Sequence, residues 1–246
     1  GGTLNTSATF SIDDTNRGLT LGASGGTFNV DTGTTLTIAS TNIIAGSGGA
    51  LTKTGDGGLT LNAANTYTGG TTVTAGTLTL GHASNTLADS GTVLVNGGTL
   101  SIGANNDTVG AVTLSSGSIT GSGGTLTGSS YSLTDSGTIS AILGGSGTLT
   151  KTGAGTVTLS ATNTYSGLTT VTAGTLALGH VTDTLSGDVT VNGGTLSIGA
   201  NSDTVGAVTL SSGSITGSSG VLTGTSYALT DSGTISAILG GSGTLT

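Results

Sequence analysis

Leucine, valine and isoleucine in this chain alternate with threonine and serine over very short stretches, and each stretch is bounded by glycine, asparagine or aspartate. From Val112 onward the apolar anchors fall at Leu114, Ile119, Leu126, Leu133, 139–143, Leu149 and 157–159, an interval of about seven residues. Each anchor sits in a unit such as Thr-Leu-Thr or Val-Thr-Leu. Alternation with period two places the aliphatic side chains on one side of an extended segment and the hydroxyls on the other. The Gly-rich flanks supply tight corners. Three short strands and three corners make one turn of about 21 residues, within the range of solenoid repeats. The expected fold is all-β, a right-handed parallel β-helix, with the hand taken from the bias of parallel crossovers. A rise of about 4.8 Å per turn gives roughly 12 turns and a rod of about 55–60 Å. Hairpin-built sandwiches favour longer strands of about 5–6 residues.

The pattern also repeats on a longer scale. Residues 51–148 and 149–244 are two copies, of 98 and 96 residues, and 245–246 open a third. VNGGTLSIGAN recurs at 95–105 and 191–201, and DTVGAVTLSSGSITGS at 107–122 and 203–218. Residues 1–50 read as leading turns of the same solenoid. Such arrays are stabilised turn by turn, each by its neighbours. The two-residue difference falls where HASNTLADSGTVLVNGG (82–98) becomes HVTDTLSGDVTVNGG (180–194). A strand would not tolerate it, because a slip exchanges its two faces. The segment near 83–91 is therefore expected to be an outward turn. Gly1-Gly2 reads as the middle of a solenoid, so the sequence is expected to be part of a longer chain or one unit of a polymer.

Composition narrows the alternatives. There are 49 Gly among 246 residues, with no Pro, Cys, Met, Trp, Glu or Gln, which removes most good helix formers. A charged fraction of 6 % argues against disorder, which needs charge-rich chains. Net charge is −8, and Arg17, Lys53 and Lys151 are the three cations, so neither nucleic acid nor an anionic membrane surface is an expected partner. No apolar run approaches the length of a membrane helix. Aromatics make up 2 % of the chain, so the interior is expected to be a narrow aliphatic column rather than a globular core.

The segment GSGGALTKTG (46–55), followed by LTLNAANTYTGGTTVTAGTLTLG (59–81), resembles the autotransporter-associated β-strand repeat, also called the passenger-associated transport repeat. SGTLTKTGAGTVTLSATNTYSGLTTVTAGTLALG (146–179) is its second copy, and GGTFNVDTGTTLTI (25–38) resembles the segment that leads into it. Leu168 departs from the pattern where Gly70 keeps it, and Asp56-Gly57-Gly58 stands where Ala-Gly-Thr is usual. The resemblance implies a right-handed β-helix exported to the surface of a Gram-negative bacterium, where the family forms stalks of large adhesins and is thought to assist passenger folding.

Candidate chemistry is sparse. Asp31-Thr-Gly-Thr, Asp89-Ser-Gly-Thr, Asp135-Ser-Gly-Thr and Asp231-Ser-Gly-Thr match the short aspartic-protease signature. That enzyme needs two carboxylates sharing a proton across a cleft, whereas Asp-Ser-Gly is also a turn sequence. His82 and His180 occupy equivalent loop positions, expected about 20–24 Å apart and unable to share a metal. Asp13-Asp14 and Asn105-Asn106-Asp107 are weak calcium candidates that lack the nonapeptide calcium-roll pattern. Asn65-Thr-Tyr67 and Asn163-Thr-Tyr165 read as a corner amide with a tyrosine covering the column, with sugar contact as the alternative. No catalytic, cofactor-binding or metal-binding residue is assigned and no cofactor is expected.

The expected function is a non-enzymatic extracellular structural or adhesive rod, a stalk or filament-building segment. Expected partners are other copies head to tail, and host-cell or polysaccharide surfaces, with no membrane insertion by this segment. A polysaccharide-binding or polysaccharide-degrading β-helix is one alternative, although glycoside hydrolysis needs paired carboxylates about 5–10 Å apart and the Asp residues are scattered. A Thr-rich ice-binding solenoid is the other. Thr-x-Thr recurs at 35–37, 72–74, 77–79, 125–127, 148–150, 156–158 and 170–172, and the uneven gaps count against it.

Overall fold

Strands three to five residues long dominate, and their pairing is parallel throughout the registers below. The computed structural model describes residues 1–14, 18–182 and 184–246, which leaves Arg17 outside the description. The protein is an all-β solenoid of about 12 turns, with no helix among the described residues. It divides into two compact units, Gly1–Thr127 and Gly128–Thr246.

In the first unit, one inward-facing column runs Leu4, Phe28, Lys53, Val73, Val95 and Leu114, each on the next turn in register. A second runs Phe10, Leu36, Leu59, Leu78, Leu100 and Ile119. Leu4 and Phe10, at the start of their columns, are exposed, and the members after them are buried. A third, shorter face pairs Leu19 with Ile44 and Gly46 with Tyr67. The second unit repeats the plan. Tyr131, Leu149, Thr169, Val189, Val208 and Tyr227 align, as do Val157, Leu176, Leu196, Ile215 and Ile235. Asp203, Leu222 and Leu239 form the third face.

The period-two pattern explains this sorting. In Thr77–Leu80, Leu78 and Leu80 are buried while Thr77 and Thr79 are half-buried. Each buried aliphatic contributes roughly 1.5–3 kcal/mol, so stability accumulates over many small burials rather than one large core.

The turn averages about 20 residues, slightly below the 21 expected, because the corners vary in length while the strands stay in register. Gly26 pairs with Leu51, a step of 25 residues, and Val189 with Val208, a step of 19.

Two findings differ from the sequence reading. Val93–Gly103 and Asp107–Gly121 are strands of 11 and 15 residues rather than three or four. Pairing continues through their corners by register shifts at Val95/Asn96 and Asn96/Thr99. Glycine makes this feasible. Gly97 has φ +111°, and a Cβ there would lie 2.7 Å from the Thr74 carbonyl oxygen. The loop near 83–91 is indeed free of strand, and Asp89-Ser90 is an exposed turn, where the second copy has two residues fewer. Thr86, Leu87 and Ala88, however, are buried within it, because Leu87 packs inward and its N–H is capped from the next turn.

Candidate functional site

The chemically distinctive groups lie inside the solenoid, on the same inward parity as the leucines. In the strand Leu51–Thr54, Leu51 and Lys53 both face the interior, and Lys53 is fully buried. Its stem occupies the column between Phe28 and Val73. The ammonium turns into the corner and donates to the carbonyls of Thr54 (2.7 Å), Gly55 (2.6 Å) and Ala75 (3.3 Å). Burial lowers its pKa to about 8, a shift that the nearby Asp56 carboxylate partly offsets. Lys151, between Leu133 and Val171, repeats the arrangement by donating to the Gly153 carbonyl, and burial lowers its pKa as well.

The asparagines bridge three turns. Asn65 Oδ1 accepts the Ile44 N–H at 2.9 Å, and Nδ2 donates to Ala63 O (3.1 Å) and Thr86 O (2.7 Å). Asn163 does the same with Leu143, Ala161 and Thr184. The tyrosines fill the interior beside them. Tyr67 Oη bonds Thr71 Oγ1 at 2.6 Å, and Tyr165 Oη bonds Thr169 Oγ1 at 2.7 Å. Burial pushes both phenols well above their usual range. Tyr131 packs against Tyr165 with ring centroids 5.8 Å apart, and its hydroxyl spans the Gly128 N–H and the Gly144 carbonyl. The amides and phenols read as corner and cover are thus largely occupied by the protein itself.

Asp107, considered for calcium, points inward. It is buried and accepts the Leu87 N–H at 3.0 Å. Asp203 repeats this with Leu185 at 3.0 Å and also accepts the Thr204 N–H at 2.9 Å. Burial raises the Asp107 pKa to about 6, with Asp89 adding to the rise and backbone N–H groups opposing it. The native state therefore binds the proton more tightly than the unfolded chain. The contribution of Asp107 to stability is fully present below about pH 4 and is lost between about pH 4 and 6, by roughly 3 kcal/mol. Asp107→Asn keeps an acceptor for Leu87 and cannot ionise. Thermal melts at pH 4.5 and 7 are expected to show that pH 7 costs the variant less stability than the parent; parallel pH profiles would contradict the assignment.

The remaining candidates lie at corners. Thr34 N–H donates to Asp31 O at 3.1 Å, and Gly91 N–H to Ala88 O at 2.9 Å, closing turns around two of the Asp-Thr-Gly and Asp-Ser-Gly segments. Gly233 N–H donates to Asp231 O at 3.0 Å, and Asp135 lies at a bend. His82 Nδ1 contacts Ser84 O, and His180 Nδ1 contacts Thr182 O at 2.6 Å, both local loop contacts. The Asp14 carbonyl accepts the Asn42 amide at 2.8 Å, and Asp13 is exposed. Among the described residues no three His, Cys, Asp or Glu side chains come together.

The exterior is hydroxyl-rich. The outward Thr-x-Thr motifs distribute over different faces, which accounts for their uneven spacing in sequence. Thr72 and Thr52 share one face, while 35–37 and 77–79 lie on the next. On that second face of the first unit, one column reads Thr37, Thr60, Thr79, Ser101, Thr120. The parallel column reads Thr35, Gly58, Thr77, Thr99, Ser118. Serine takes the place of threonine in the later turns, so a search for Thr-x-Thr misses those positions.

Three segments, 51–80, 149–178 and 181–198, match the passenger-associated-transport-repeat family model. The matches leave most of the chain outside the family model. The first two segments coincide with the motifs quoted above, each containing an inward lysine, bridging asparagine and interior tyrosine. The third was not singled out from the sequence as a copy of this repeat; it runs into the long cornered strand Val189–Gly199. No curated protein and no solved structure matches the chain.

Proposed function

We propose that this chain is a non-enzymatic structural segment of an autotransporter-like passenger, a stalk that holds an adhesive or other outer region away from the surface of a Gram-negative cell. The observation that carries the reading is the coincidence of the repeat with the internal hydrogen-bond scaffold. The motif's lysine, asparagine and tyrosine side chains are directed to neighbouring strands and corners rather than to a cleft. Among the described residues Asp107 and Asp203 are inward caps and the other acidic residues lie in corners and loops, an arrangement suited to holding turns together. Length in such an array follows from the number of turns.

The test is to fuse the chain between a signal sequence and a translocating β-barrel in a Gram-negative host. Surface protease accessibility, together with negative-stain microscopy of purified material, reads the outcome. Protease-accessible, elongated particles are expected, and concentration-dependent filaments would add head-to-tail association. Retention inside the cell, or compact isotropic particles, would overturn the proposal.

A further inference from the structure

Register turns an irregular sequence pattern into a regular surface. On the second face of the first unit, nine of the ten outward positions over five successive turns are Thr or Ser, with Gly58 the exception. The side chains of these nine are half-buried, so they stand at the surface yet are held by their neighbours. β-Branched threonine is restricted at χ1, and the parallel ladder fixes the spacing. Turns repeat at about 4.8 Å, and the two columns lie about 6.7 Å apart along the strand. The hydroxyls and methyls therefore form a two-dimensional grid rather than a scatter.

Two further observations restrict what such a grid can bind. First, no side-chain hydroxyl of the nine bonds to another group among the described residues, in contrast to Thr54, Thr74 and Thr86, whose hydroxyls bond Asn29, Lys53 and His82. The grid's hydrogen-bonding capacity is free for an external partner. Second, its ten positions carry neither charge nor aromatic ring. An ionic ligand has nothing to pair with there, and a sugar has no ring to stack on. A partner matched to a periodic, uncharged array of hydroxyls and methyls is water itself in an ordered lattice. Each of the nine hydroxyls offers water a donor and acceptor sites.

We propose that this face of the first unit is an ice-binding surface, on which the threonine and serine columns order water in register with the crystal. The inference stands apart from the export reading, because it rests on one face and on no property of a longer passenger.

The experiment measures thermal hysteresis and ice recrystallisation in solutions of the whole chain. Hysteresis with faceted crystals is expected. The double variant Thr60→Lys/Thr79→Lys places two charges at the centre of the grid and is expected to abolish it. Thr52→Lys/Thr72→Lys, on the adjacent face, is expected to retain it. Circular dichroism melts of both variants confirm that each is folded, and the unmodified chain alone suffices if one is not. Absence of hysteresis in the unmodified chain would overturn the proposal. So would equal loss in two folded variants, or retention on crystalline cellulose or chitin without any effect on ice.

Discussion

Leu78→Asp is expected to abolish cooperative unfolding of the first unit, whereas Thr77→Asp, one residue away, is expected to leave a folded protein with a slightly lower melting temperature. Leu78 is fully buried, in register between Leu59 and Leu100. The substitution loses roughly 1.5–3 kcal/mol of apolar burial. It adds several kcal/mol more for a carboxylate placed in an aliphatic column without a partner. The sum is comparable with the whole stability of a domain, about 5–15 kcal/mol. Thr77 points outward, so the replacement costs only the difference in strand preference, up to about 1 kcal/mol. Circular dichroism melts of the two variants beside the parent check the prediction. Equal effects would contradict the inward and outward assignment.

Asn65→Ala is the second large effect, and it acts through hydrogen bonds rather than volume. The change leaves the Ile44 N–H without its acceptor and the Ala63 and Thr86 carbonyls without a donor, in a site that is almost fully buried. An orphaned buried polar group costs about 1–3 kcal/mol, so a loss of roughly 3–5 kcal/mol is expected. Asn65→Asp is instructive beside it. The carboxylate still accepts from Ile44 but cannot donate to Thr86 or Ala63, and it confronts two carbonyl oxygens. Urea denaturation should place both variants well below the parent. Asn163→Ala should produce a matching loss in the second unit, because the bond set there is the same. A change of less than 1 kcal/mol in Asn65→Ala would show that water replaces the amide.

Much of the fold was legible because a period of two admits few alternatives. Once Leu78 and Leu80 are placed inward, the threonines must point out, and short strands with glycine corners favour coiling over hairpins. The same parity puts Lys53 inward beside Leu51, and Asp107 inward two residues before Val109. Hydrophobicity argues against an interior lysine, so the register had to be trusted over residue type to find it. The corner supplies the reason the lysine is tolerated, since three backbone carbonyls receive the ammonium. That geometry depends on the path of two successive turns and leaves no local mark in the sequence. The long strands through Asn96 and Asn192 were equally hidden. An Asn-Gly-Gly triplet ordinarily reads as a break, and here the positive φ of Gly97 and Gly193 bends the strand while pairing continues. The packing of Tyr131 on Tyr165 likewise arises from turn stacking and could not be counted along the chain.

The asparagine bridges carry a kinetic consequence. Asn65 reaches partners 21 residues away in either direction, about one coil before and one coil after itself. No contact of this kind waits for a distant part of the polypeptide, so order can advance in small increments from whichever portion is free first. Each completed coil is held by the one before it and offers bonding groups to the one after, so order already gained is kept while the next coil winds on.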